Sequence, residues 1–358
     1  MENLTLNHVI ESVEPKDPDW EAKACAHVES LAIPPWSLGQ VLTLGVQLCG
    51  IQRTLHPHVD KKMILTMAAD HGIAEEGVSA FPQEVTLQMV SNIVAGGAGV
   101  NVLGKASGAE VRLVDMGVKE DMPELVRSGK IIDARIAHGS NNFRKGPAMS
   151  REQAIAALEA GIRVASEVIE KEGVELLGTG DLGIGNTTPS SAILAVMGEY
   201  PVTSITGRGT GLNNAELLNK IKVIREAIAL NAPDKNDALD VLSKVGGYDI
   251  AGIAGMILGA AYHQVPVVVD GFISTAGALI AKGLCPNCAD YMIASHQSEE
   301  PGHQMMWRTL NMHPLLNLNF RLGEGTGAAV AMHLVECAAR CMNDMLTFEA
   351  AGVTNGLA

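Results

Sequence analysis

The chain has 358 residues, enough for two domains or for one large α/β domain with an appendage. Apolar residues make up 47% and charged residues 18%, a composition that buries a large core and excludes disorder as the main state. Acids outnumber bases, 40 against 26, and a net charge of −14 with only 3% aromatics argues against a nucleic-acid partner.

In chain order, the N-terminus has acids and no basic region followed by an apolar run, so no secretory signal is expected. No uninterrupted apolar stretch reaches the ~18 residues that span a bilayer, so no membrane partner is expected and the compartment is read as cytoplasmic. Residues 1 to about 54 read as helices with loops, broken at Pro34-Pro35, with Ser37 placed to cap the next helix. From about residue 62 the pattern changes to short β-rich runs alternating with longer helices. The expected strands are Met63–Met67, Glu110–Met116, Lys130–Ile136, Val174–Leu177, Val202–Ile205, Val265–Asp270 and Tyr291–Ala294. Several are continuously apolar, as parallel strands covered on both faces are. Ser150-Arg151-Glu152-Gln153 is a capping box that opens a helix carrying Ile155, Leu158, Ile162, Ala165 and Ile169. Thr188-Pro189 reads as an N-cap followed by proline at the first helical position, and Gly327 to about Leu346 is helical again. The fold class is therefore α/β: a Rossmann-like, three-layer parallel sheet flanked by helices. Helical segments from both termini are expected to meet as a small second unit.

The six cysteines sit mostly in apolar, helix-like surroundings and read as reduced thiols. Cys285-Pro-Asn-Cys288 lacks a second pair to complete a zinc site and reads as a surface loop. His56-x-His58 reads as surface. Asp70-His71 follows a strand, but no further metal ligand stands at a suitable spacing, so no metal is expected.

Glycine is in excess, with 38 residues, and three clusters stand out: Gly178 to Pro189, Thr206 to Gly211 and Leu322 to Gly327. Backbone without Cβ can approach a ligand closely, and a following helix N-terminus offers free N–H groups to an anion such as a nucleotide phosphate. Gly178 to Gly183 is formally G-x-G-x-x-G, which would suggest an NAD-dependent oxidoreductase. Asn186, Thr187 and Thr188 intervene before the helix, and no clean acidic residue ends a second strand about 20 residues on. No P-loop motif is present. Glu324, enclosed by Gly323 and Gly325, is either a helix-terminus acid or a general base whose surroundings must admit substrate. Asp181 stands in a similar setting, and Asp270 ends the most apolar strand.

These elements together resemble the nicotinate-nucleotide–dimethylbenzimidazole phosphoribosyltransferase (CobT) family. The resemblance rests on Ala69-Asp70-His71-Gly72, Gly77 to Thr86, Gly185-Asn186-Thr187-Thr188-Pro189, Ser243 to Gly247, Asp270-Gly271-Phe272 and Arg321 to Gly325. Pro34-Pro35-x-Ser37-Leu38-Gly39 matches an N-terminal family element, so the likeness covers nearly the whole chain in order. It implies a large α/β domain at 33–329 and a small helical domain from 1–32 and 330–358. It also implies transfer of phosphoribose from nicotinate mononucleotide to a cobamide lower-ligand base, with inversion to an α-ribotide and release of nicotinate. Nicotinate mononucleotide is a substrate, and no cofactor is implied. Family members are dimers, so a homodimer or a heterodimer with a paralogue is expected.

By the same resemblance Glu324 is the catalytic base and Asp181 its companion, standing where many relatives carry glutamate. The nucleotide and its phosphate are assigned to Gly180, Gly183, Gly185, Asn186, Thr187, Thr188, Gly207, Arg208, Gly209, Lys220, Asp270, Ser295, Gly325 and Gly327. The acceptor base is assigned to Ser79, Phe81, Gln88, Met89, Leu182 and Leu322. Some relatives place Ser and Gln where Phe81 and Met89 stand here, with Gln88 adjacent. An apolar pocket of that kind would tolerate benzimidazoles, purines or phenols, as in the family's phenol-activating ArsA/ArsB-type branch.

Overall fold

The computed structural model describes residues 4–354. Residues 1–3 and 355–358, the outer ends of the expected helical domain, lie outside it. Six strands form one sheet: β1 (Lys62–Ala69), β2 (Ala109–Gly117), β3 (Ile131–Asp133), β4 (Leu176–Leu182), β5 (Val267–Val269) and β6 (Met292–Ala294). Every neighbouring pair is parallel, in the order β3-β2-β1-β4-β5-β6. The chain winds outward from β1 in one direction and from β4 in the other. The switch point between β1 and β4 opens a crevice beyond their carboxyl ends, where ligands bind in sheets of this type.

Both central strands are buried along their whole length, because helices cover both faces. Met63, Leu65 and Met67 of β1 face the core built with helices Arg151–Glu172, Tyr248–Tyr262 and Phe272–Leu284. Ile64 and Ala68 face the opposite core, with helices Val85–Val94, Gly99–Ser107 and Thr326–Asp344. Part of the glycine excess serves this packing and not the loops. A Cβ on Gly255 would lie 2.0 Å from Leu158 O, and one on Gly161 would lie 2.2 Å from Gly252 O. Glycine lets these two helix backbones touch.

A third, small cluster joins Ala24 and Val28 of helix Pro18–Ser30, Leu42, Val46 and Cys49 of helix Gln40–Gln52, and Met342 near the end of Thr326–Asp344. That last helix therefore begins on the sheet and ends among the N-terminal helices. The apolar stretch 85–107 is two helices of 10 and 9 residues separated by a turn, each too short to cross a bilayer at about 1.5 Å per residue.

The structure corrects several expectations. Val202–Ile205 is one turn of helix, not a strand. Val202 and Ile205 are buried while Thr203 and Ser204 face out, a spacing of three that suits a helical turn. Strand β4 extends to Leu182 and takes in the first half of a glycine cluster expected to be loop. Its neighbour helix starts at Thr187, so Pro189 is the third helical residue, and Gly39 (φ 51°), not Ser37, precedes helix Gln40–Gln52. Cys285 and Cys288 are buried, not on a surface loop. The N-terminal segment covers them: Asn287 donates to Val13 O at 2.9 Å and the Tyr291 hydroxyl to Glu14 O at 2.9 Å.

Candidate active site

Three consecutive residues, Gly323 (φ 83°), Glu324 (φ 63°) and Gly325 (φ 105°), take left-handed backbone. For a glutamate this conformation costs on the order of 1–2 kcal/mol, so its surroundings must impose it. Asp270, just past β5, does so from below. Its carboxylate accepts from Gly325 N at 3.1 Å, Gly327 N at 2.7 Å and Ala328 N at 3.0 Å. These are the free amides at the start of helix Thr326–Asp344, where an acid is favoured. Thr66 of β1 donates from Oγ1 to Glu324 O at 2.9 Å. Gly180 of β4 lies so close that a Cβ there would meet Glu324 O at 2.2 Å.

The held side chain is 5% exposed, and its one hydrogen bond among the described residues is a long one, Oε2 accepting from Val100 N at 3.4 Å. Burial pushes its pKa above the usual glutamate range; the Val100 amide opposes this and the Asp270 charge adds to it. Such a carboxylate is a stronger base than one in water, and among the described residues no cation pairs with it. A side chain on Gly99 would strike Leu322 Cδ2 at 2.8 Å and approach Glu324 Oε2 at 3.6 Å. Gly99 thus keeps the approach to the carboxylate clear.

Asp181, on β4, is buried beside this loop, and a Cβ on Gly323 would be 3.1 Å from both of its oxygens. Asn186 donates to its Oδ2 at 3.0 Å, while Oδ1 has no partner among the described residues. Burial raises its pKa well above the aspartate value, and the charges of Asp270, Asp249 and Glu324 add to this, so the group tends to hold a proton. Asn186 also reaches Asp249 Oδ2 at 3.4 Å, which lies 3.1 Å from His71 Nε2. His71, Asp249, Asn186 and Asp181 are therefore one buried polar chain across the switch point. Burial opposes protonation of His71, but the charge and hydrogen bond of Asp249, with Asp70, leave its pKa raised. His71 and Asp249 thus have a structural task that the sequence did not assign. Asp249 carries no motif by which it could have been found.

The nucleotide side lies around the second glycine cluster. Lys220, fully buried on helix Asn214–Asn231, donates from Nζ to Thr187 Oγ1 at 2.6 Å. A Cβ on Gly209 would be 3.3 Å from that ammonium and 2.9 Å from Thr187 Oγ1. Burial lowers the Lys220 pKa to about 8, opposed by the Glu300 charge. Gly209, Thr187 and Lys220 are thus together, with Gly207 and Thr188 buried nearby in sequence and Gly185 (φ 93°) turning the chain into helix Thr187–Met197. Arg208 is turned away: it donates to Leu212 O at 2.7 Å and Asn214 Oδ1 at 2.6 Å, closing its own loop. Glu300, which sequence reasoning passed over, accepts the Gly209 amide at 3.0 Å.

Asp270 and Ser295 are wholly buried behind the site. The Ser295 hydroxyl lies 3.2 Å from Asp270 O and 2.9 Å from His296 Nδ1. Gly327 packs on His296 and Gly183 on Ala69 O and His71. These positions support the loops. On the acceptor side, Ser79 ties the 77–84 loop to the glycine cluster, 3.1 Å from Thr210 Oγ1. Phe81 is 53% exposed and Leu322 61% exposed, Leu182 and Met89 join the helix-side core, and Gln88 is exposed. Among the described residues, no group of three or more His, Cys, Asp or Glu side chains is placed to hold a metal ion. A separate cavity of about 550 Å³, lined by Gly72, Lys119, His138, Ser140 and Asn142, includes none of the expected site residues.

Gly178-x-Gly180 lies inside β4, not in a strand-to-helix turn, which removes the structural context a dinucleotide fingerprint needs. Comparison with known proteins points elsewhere. A family model described as "Phosphoribosyltransferase" matches residues 13–353. The chain is 51% identical over 350 residues to the nicotinate-nucleotide–dimethylbenzimidazole phosphoribosyltransferase of Desulfotalea psychrophila, covering 98% of both chains. It is 52% identical over 351 residues to the protein of the same name from Geotalea uraniireducens, covering 98% of this chain and 99% of that one. The crystal structure of CobT from Thermus thermophilus superposes with a TM-score of 0.90 at 39% identity, over 95% of this chain and 100% of that one.

Proposed function

The chain belongs to the CobT phosphoribosyltransferase family, and from that premise we propose that it moves phosphoribose from nicotinate mononucleotide to a cobamide lower-ligand base. What carries the reading is the glycine-framed loop that presents the carboxylate of Glu324 at the switch point, with the Lys220–Thr187–Gly209 group assembled on Thr187, just past the carboxyl end of β4.

The nicotinate ring nitrogen is cationic in the donor, so the bond to C1′ breaks with its electron pair returning to that ring. A ring nitrogen of the acceptor forms the new bond from the opposite face, which inverts C1′ and gives the α-ribotide. The acceptor's proton passes to Glu324, whose raised pKa suits it to take one. Burial raises the Asp181 pKa well above the aspartate value, which disfavours a second negative charge beside the base. The phosphate is held by the Lys220 ammonium, the Thr187 hydroxyl and the Gly209 amide. Holding both reactants side by side supplies much of the rate.

A phenolic acceptor is the second reading. It is favoured by Phe81, apolar and exposed, and by Met89, which stand where some relatives place Ser and Gln that address an azole. A phenol has a pKa near 10, so Glu324 would take its proton in step with attack. The enzyme is read as a cytoplasmic dimer, of identical chains or with a paralogue. Mass spectrometry of products from nicotinate mononucleotide mixed with dimethylbenzimidazole, adenine, phenol and p-cresol decides. One or more α-ribotides and free nicotinate are expected. No ribosylated acceptor and no nicotinate would overturn the assignment.

A further inference from the structure

We infer that the Glu300 carboxylate is an internal stand-in for the donor's phosphate, and that it sets anion affinity by competing for the Gly209 amide and the Lys220 charge. The inference rests on the phosphate seat assigned above.

Glu300 is placed by local structure. It follows β6, its carbonyl accepts from His303 N at 3.0 Å, and its amide donates to Ser298 Oγ at 3.3 Å. Pro301 disfavours helical backbone at the residue before it. From there the side chain enters the glycine cluster. Oε1 accepts from Gly209 N at 3.0 Å, and Oε2 is buried with no partner among the described residues. A Cβ on Gly207 would lie 1.9 Å from Oε2, so the missing side chain at that position is what admits the carboxylate. The Lys220 ammonium, bonded to Thr187 Oγ1, feels the Glu300 charge at longer range.

A buried carboxylate with one oxygen unmet is unfavourable unless the arrangement serves a second state. The same amide and the same cation are what a phosphate needs. A phosphate monoester brings about −1.5 to −2 charges and three acceptor oxygens, so it cannot share the seat with an ionised carboxylate at low cost. The donor must displace Glu300, drawing on contacts made by its ribose and ring. A free inorganic anion has no such contacts and is held off. The same competition helps expel the phosphate of the product.

The test compares the wild type with Glu300→Gln, whose amide oxygen can still accept from Gly209 N. Sulfate is titrated by calorimetry, and KM for nicotinate mononucleotide is measured with sulfate as competitor. Sulfate affinity is expected to rise at least about tenfold in Glu300→Gln, and KM to fall, because a like-charge contact with the anion is gone. Glu300→Ser, which opens the seat differently, should change both in the same direction and covers the case where the Gln variant folds poorly. Unchanged or weakened sulfate binding in a folded variant overturns the inference and makes Glu300 a brace for the loop or a donor contact. Calorimetry needs no turnover. Tighter sulfate binding with no nicotinate release from the wild type would sink the proposed reaction and leave the exchange standing.

Discussion

Replacing Glu324 by glutamine removes the proposed base and almost nothing else. The glutamine side chain has the same length, and its carbonyl can keep accepting from Val100 N, a contact already long at 3.4 Å. The left-handed backbone at φ 63° is set by Asp270, Thr66 and the neighbouring glycines, none of which the substitution touches. Losing a buried negative charge beside Asp270 relieves repulsion, so stability should change by no more than about 1 kcal/mol. A positioned general base contributes about 10²–10⁴-fold, or roughly 3–5 kcal/mol of barrier. The expected result is therefore a fall of that size in kcat, with KM for nicotinate mononucleotide nearly unchanged and a normal melting transition. Steady-state nicotinate release, read by liquid chromatography, measures kcat and KM. A Glu324→Gln enzyme within about tenfold of wild-type kcat would show that the acceptor's proton leaves by another route.

Three further outcomes follow from the geometry. Asp270→Asn turns an amide group toward one of three backbone donors, so it should cost about 2–4 kcal/mol in urea unfolding and at least about tenfold in kcat as the Glu324 loop relaxes; wild-type values for both would refute the bracing role. Gly180→Ala puts a Cβ within 2.2 Å of Glu324 O, so the loop must shift; a soluble protein with kcat at least about tenfold lower is expected, and full activity would mean that the loop position is not critical. Lys220 titrates at about 8, being charged below that pH and neutral above it. KM for nicotinate mononucleotide should accordingly be flat below that value and climb above it toward about tenfold per pH unit, whereas a flat profile to about pH 10 would remove Lys220 from phosphate binding.

What the sequence by itself determined was whatever near neighbours decide. Apolar runs such as Val267–Val269 had to be covered strands, and Ser150 with Gln153 had to open a helix, as the Gln153 amide donating to Ser150 Oγ at 3.1 Å shows. Gly323 and Gly325 around Glu324 marked a loop whose backbone permits close approach, and the structure gives all three residues left-handed backbone. The loop follows no strand, since β6 ends at Ala294; Thr66, Gly180 and Asp270 place it at the carboxyl ends of β1, β4 and β5. Short segments were where that reading failed: Val202–Ile205 satisfied a strand pattern and a helical turn equally, and its packing chose the turn.

Only the tertiary structure decided how the carboxylates differ from one another. Asp270 reads as one more acid after a strand, yet it braces amides 55 to 58 residues away. Asp249 meets Asn186 across 63 residues, and Glu300 meets Gly209 across 91. The cysteine pair is buried only because residues some 275 positions earlier lie over it. Local sequence sets dihedral preferences and caps. Burial, unmet hydrogen bonds and shifted pKa values depend on which distant segments the switch point of a parallel sheet brings together.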